Sequence, residues 1–195
     1  MFWFDLFKAS VMLLIIIDPF LSLSIFINIT RNMSDKERNK GALTAVWVAG
    51  ILLITFLFCG LTLLDALSIS INAFRIAGGI ILLILGVTQV LGIEYKKGTN
   101  ATMGVVIIGT PMLSGPAALL TIISLTDQYG ILIPLIASVI VLIISWAVLR
   151  FSSFIIKIVG DRFLEIFSRI LGLLLAGIGI EFIIKGVMGV IISGI

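Results

Sequence analysis

The feature that most limits this chain is the recurrence of long apolar runs. A helix that crosses a bilayer needs roughly 20 mainly apolar residues. Six windows meet that requirement, at about 6–30, 41–64, 72–93, 101–125, 131–156 and 166–191. Lipid offers no hydrogen bonds to the backbone, so each window is expected to be helical. The composition agrees: 61% of residues are hydrophobic and 12% charged, against about 45–50% and about 25% in soluble domains. The expected fold is an all-α polytopic membrane protein, one transmembrane domain over residues 1–195. The apolar part of the first window, Val11 to Ile29, is longer than a signal-peptide core and is followed by no A-x-A-like cleavage site. It reads as a retained helix.

The basic residues give an orientation. Arg31, Lys36, Arg38 and Lys40 follow span 1, Lys96 and Lys97 follow span 3, and Arg150, Lys157, Arg162 and Arg169 lie between spans 5 and 6. Ten of the thirteen Lys and Arg residues therefore fall on one side, leaving Lys8, Arg75 and Lys185 for the other. The positive-inside rule makes the ten cytoplasmic, with both termini outside. The net charge of +3 is thus a topology signal that calls for no nucleic-acid partner. With no His and a single Cys, Cys59, zinc sites, Cys/His pairs and internal disulfides are excluded. No metal is assigned.

Two pairs of segments recur at nearly one offset. "DPFLSLS" (18–24) aligns with "TPMLSGP" (110–116), 92 residues on, and "FRIAGGIILL" (74–83) with "SRILGLLLAG" (168–177), 94 on. The second pair shares Arg-x-x-Gly at Arg75/Gly78 and Arg169/Gly172. Hydroxyls recur as well: Thr44, Thr55 and Thr62 share a face of span 2, and Ser138, Ser145 and Ser152 share one of span 5. The chain reads as two repeats, about 1–93 and 94–195, each of three helices. Three is odd, so the second repeat is inverted relative to the first, a common build for secondary transporters.

Polar breaks fall halfway along spans 1 and 4. Pro111 and Pro116 lack an amide proton and free carbonyls, while Gly115 tolerates unusual backbone geometry. Asp18-Pro19 does the same in span 1, with Ser22 and Ser24 one turn further on. Non-helical backbone at membrane depth survives where it is buried in protein or lines a polar cavity. A broken helix offers amides at its new N-terminus to a carboxylate, and freed carbonyls to a cation or ammonium. Asp18 lies 13 residues after Asp5 and 13 before Arg31. A charge at such depth costs roughly 2.5–3.5 kcal/mol on insertion scales, so it calls for a partner or a task. It is expected to hold a substrate ammonium, a coupling cation or a proton, and it also suits capping of the half-helix that follows.

Other residues carry blander readings. Arg75 and Arg169 suit snorkelling anchors. Asp65 faces water or pairs with Arg75. Glu181 and Lys185 suit an i,i+4 pair, and Gly78, Gly79 and Gly172-x-x-x-Ala176 suit close helix packing. Pro134 stands near the start of its helix, where proline is tolerated.

"PMLSGPAAL" (111–119), "FRIAGGIILLILG" (74–86) and "SRILGLLLAGIGIEFIIKG" (168–186) together resemble the MarC/SnatA family of six-helix membrane proteins. The resemblance implies transport of small neutral amino acids such as glycine and alanine, coupled to Na⁺ or H⁺ and needing no other cofactor. The chain departs from the family's first-loop pattern, Asp-Pro-x-Gly-Asn-x-Pro, by carrying Leu21, Ser22 and Ser24 in place of its Gly, Asn and Pro. Ala117 replaces a usual Gly in the second loop.

The expected function is an ion-coupled carrier in the cell membrane working by alternating access. A small zwitterionic amino acid is held by Asp18, Pro19, Phe20, Ser22, Ser24, Thr110, Ser114, Gly115 and Pro116, with Asp18 also serving the coupling ion. The alternatives are an exporter of another small metabolite or drug and a structural membrane protein. An intramembrane enzyme would need a second acid, base or nucleophile beside Asp18, which no span centre supplies.

Overall fold

A computed structural model describes residues 2–30, 33–92 and 115–193, and all of its regular structure there is helical. The helices are α1 (Phe2–Ile17), α2 (Pro19–Thr30), α3 (Asp35–Ala66), α4 (Ile71–Val90), α5 (Pro116–Tyr129), α6 (Leu132–Arg150), α7 (Ser152–Val159) and α8 (Asp161–Ser193). Five stretches are long and apolar enough to cross a membrane: Phe2–Leu23, Asp35–Ala66, Ile71–Val90, Leu132–Arg150 and Arg162–Ile192. The window at 101–125 is described only from Gly115 onward.

Local chemistry sets the helix ends. Ser34 caps α3 in a reciprocal capping box with Glu37, and Ser70 caps α4 by accepting from the Ala73 amide. Gly130 and Gly160, at φ 71 and 76, turn the chain into α6 and α8. The window at 131–156 is not one straight helix: α6 stops at Arg150, and the short α7 starts at Ser152. The window expected to begin at 166 begins at Asp161, so Arg169 lies two turns inside α8.

The helices of residues 2–92 touch one another little and pack on those of residues 115–193. α1 lies on α5 and α6, α2 on α6 and α8, α3 on α5 and α6, and α4 on α8 and α5. α5 runs through the middle, with every residue from Leu120 to Thr126 buried. The core gathers around it from Leu13, Ile17, Leu53, Leu57, Ile122 and Ile123, among others.

The tightest seam joins α4 to α8, backbone against backbone. A methyl added at Gly79 would stand 2.5 Å from the Gly179 carbonyl oxygen, and one at Gly86 2.5 Å from both the Gly172 carbonyl and the Ala176 amide. Gly186 faces the Asn72 carbonyl in the same way, at 2.7 Å. The pairs run in opposite senses along the two helices, so α4 and α8 are antiparallel. Lipid tails are as apolar as leucine, and association therefore rests on close packing of small residues. Gly78 turns aside from this seam and receives Leu120 of α5.

The two hydroxyl stripes are not equivalent. Ser138, Ser145 and Ser152 are buried, but Thr44, Thr55 and Thr62 are exposed. Thr44 and Thr55 return their hydroxyls to the carbonyls of Lys40 and Ile51, four residues back. A threonine that satisfies itself on its own helix can sit on an outward face, so seven-residue spacing alone does not mark an inward one.

Candidate functional site

The first span is interrupted at Asp18. Its backbone adopts φ 38, a left-handed conformation rare for residues other than glycine. Pro19 follows as the first residue of α2, where its missing amide and fixed φ fit. The Asp18 amide still donates to the Leu14 carbonyl at 3.1 Å, and the Ser22 amide to the Asp18 carbonyl at 3.2 Å. Between these two bonds the helical ladder is lost. Pro19 has no proton to give Ile15, and the Leu21 amide turns from Ile17 to Asp18 Oδ1 at 3.1 Å. The Ile15 and Ile17 carbonyls are thus left without their i+4 donors.

Asp18 is 5% exposed, and its carboxylate is surrounded. Oδ1 caps α2 through Leu21, and Oδ2 accepts from Gln89 Nε2 of α4. The Phe20 amide and the Ser168 hydroxyl of α8 also stand beside the carboxylate. Phe20 packs edge-to-face on Phe167 at 5.0 Å, fixing the entry of α2 against α8. Ser22, one turn below, is 1% exposed, and its hydroxyl has no partner among the described residues. A buried hydroxyl left unpaired costs about 1–3 kcal/mol, so this atom is held ready for a polar group.

The second expected break falls largely outside the described residues, which resume at Gly115. Gly115 is buried and N-caps α5, with no side-chain cap hydrogen bond among the described residues. Pro116 occupies the first helical position, leaving Ala117 and Ala118 as the first amide-bearing residues, and both are buried. Ala118 donates to the Gly115 carbonyl at 2.9 Å in a tight turn. Thr110 and Ser114 lie outside the described residues, as does the side chain of Ser24. Arg75 meets Asp127 and Gly78 meets Leu120, so α5 runs antiparallel to α4.

Of the expected site residues, Asp18, Pro19, Phe20 and Ser22 lie together at the interruption of the first span, and Gly115 and Pro116 at the start of α5. Gln89 and Ser168, which sequence reasoning did not place in the site, stand beside Asp18. The available sign for Gln89 was a primary amide in an otherwise apolar span. Asp65 is exposed and is not the partner of Arg75, which reaches Asp127 at 2.8 Å. Arg169 pairs with Glu165 at 2.6 Å, and Lys185 with Glu181 at 3.4 Å.

A bundle of apolar helices with one span broken at a buried carboxylate defines a multi-pass integral membrane protein with a polar site inside it. Its sequence matches the description "MarC family integral membrane protein" over residues 3–191. The chain belongs to the MarC family. It is 32% identical to a UPF0056 membrane protein of Buchnera aphidicola subsp. Schizaphis graminum, covering 97% of this chain and 95% of that one. It is 30% identical to UPF0056 membrane protein YhcE of Escherichia coli K12, covering 94% and 92%. Identity to the UPF0056 inner membrane protein MarC of Escherichia coli O1:K1 is also 30%, covering 96% and 97%. No solved structure matches. The protein resides in the cell membrane, as the relatives named inner membrane proteins do.

Proposed function

We propose that this protein is an ion-coupled secondary transporter of small neutral amino acids, glycine and alanine among them, and not an enzyme. The observation that carries the reading is Asp18. A carboxylate is buried at a helix break, beside freed carbonyls and the unpartnered Ser22 hydroxyl. Structural kinks need no such group. Asp18 and the Ile15 and Ile17 carbonyls take the substrate ammonium or the coupling Na⁺ or H⁺. The Ala117 amide at the start of α5, between a proline without a proton and the Ala118 amide that donates to Gly115, takes the substrate carboxylate. Short side chains at Ser22, Gly115, Ala117 and Ala118 suit a small substrate.

Alternating access follows from two inverted halves of three spans, with both termini outside. In support, the α4–α8 seam maps onto itself at an offset of 93 residues, one less than the sequence alignment that pairs Gly78 with Gly172: Gly79 then corresponds to Gly172 and Gly86 to Gly179, and Gly79 meets Gly179 where Gly86 meets Gly172. A two-fold axis that exchanges antiparallel helices lies perpendicular to them, in the membrane plane.

Uptake of labelled glycine and alanine into proteoliposomes under imposed Na⁺ or H⁺ gradients tests the reading. Accumulation driven by one gradient, and lost in Asp18→Asn, is expected. No uptake by folded protein under either gradient would favour export of another small metabolite.

A further inference from the structure

Only three of the thirteen basic residues were assigned to the side opposite the cytoplasmic cluster, namely Lys8, Arg75 and Lys185. They come from α1, α4 and α8, far apart in sequence, yet all three line one cavity of about 210 Å³. Basic residues on that side run against the orientation bias of membrane insertion, and their convergence calls for a cause. The cavity is sunk into the bundle. Its walls include Ala9, Leu125 and Phe182, each at most 6% exposed, so it does not open broadly onto lipid.

Arg75 and Lys185 are ion-paired with Asp127 and Glu181 and offer a ligand their remaining donors, while Lys8 brings the charge that no carboxylate among the described residues offsets. Lys8 has no carboxylate partner among the described residues and rests over the Phe4 ring, 4.2 Å from its centroid. Arg75 gives one nitrogen, Nη2, to Asp127 and keeps its other donors. Asp127 and Glu181, the partners of Arg75 and Lys185, do not line the cavity. The wall also carries Ser124, 5% exposed, whose hydroxyl has no partner among the described residues. Gln128 and Tyr129 add polar atoms at the rim. Met12 forms part of the lining, six residues along α1 from Asp18. That is about 9 Å at the helical rise.

We propose that this cavity binds small carboxylates. Lys8 supplies the charge, Arg75 and Lys185 their remaining donors, Ser124 a hydrogen bond, and Ala9, Leu125 and Phe182 an apolar wall that limits size. Its service as an antechamber to the Asp18 break rests on the transporter reading, whereas carboxylate binding does not. Phosphate-bearing lipid headgroups share the anionic chemistry, and the buried walls favour the free solute.

The test is thermal unfolding of the purified full chain against acetate, with chloride holding ionic strength constant and glycerol 3-phosphate as the headgroup probe. Acetate is expected to stabilise the wild type saturably. Lys8→Gln combined with Lys185→Gln should raise the half-saturating concentration about tenfold while leaving the unliganded midpoint in place. Ser124→Ala gives the same direction with a smaller shift, and serves if the double variant fails to fold. Asp18→Asn should respond to acetate as the wild type does, which keeps the result independent of any transport assay, and the weakened response of the Lys and Ser124 variants separates this cavity from the amides at the start of α5. Three results would overturn the proposal: no stabilisation by acetate, an acetate response unchanged in the Lys and Ser variants, or stabilisation by glycerol 3-phosphate alone.

Discussion

The Asp18 break and the α4–α8 seam are adjacent in space and opposite in construction. At the break, a charged residue is buried, ladder bonds are given up, and a hydroxyl is left unpaired. Along the seam there is almost no side chain at all, and two backbones meet through Gly79, Gly86, Gly172, Gly179 and Ala176. Gln89 belongs to both: its stem packs on Gly172, and its amide reaches Asp18. A strained polar site needs a rigid wall. The seam supplies one, because every atom across it is already at contact distance.

Breaking the seam should have the largest effect. Gly86→Leu would force a side chain against backbone atoms of α8 that have no rotamer to escape into. A loss of at least about 3 kcal/mol is expected, read as loss of folded protein on size-exclusion chromatography after solubilisation. Next comes the break itself. Asp18→Asn keeps a good N-cap for α2, so the melting midpoint should hold while gradient-driven uptake disappears. Wild-type uptake with unchanged ion dependence in that variant would dismiss the role given to Asp18.

Gln89→Leu sharpens the comparison, since it cuts the link and spares both sides. Removing one partner of a buried, hydrogen-bonded carboxylate costs about 1–3 kcal/mol, so a moderately lowered midpoint is expected, with weaker substrate-induced stabilisation. Ser22→Ala should leave folding intact, because its hydroxyl has no partner to lose among the described residues. Glycine should then stabilise the protein less in a thermal-shift titration. An unchanged response would place the substrate elsewhere. Thr55→Val should be close to silent in both stability and uptake, within about 0.5 kcal/mol, because that hydroxyl serves only its own helix.

Much of this was legible in the chain. Apolar length gave the five spans seen among the described residues, since a bilayer accepts only backbones that satisfy themselves. The Asp18-Pro19 pair gave the break, because proline lacks the donor a helix needs at that point. Gly79 and Gly172-x-x-x-Ala176 announced close packing, as small residues in apolar helices do. The bend at Phe151, between α6 and α7, was not announced by any proline or glycine there.

What the sequence by itself determined was therefore local and periodic: which segments enter the membrane, where one is broken, and which residue is charged at depth. Tertiary structure alone decided the partners. It chose Gln89 and Ser168 for Asp18, paired Arg75 with Asp127, and turned the Ser138 stripe inward while leaving the Thr44 stripe outside. The physical reason is that every spanning helix is apolar on all sides. Periodicity then names faces without saying which of them meets protein and which meets lipid.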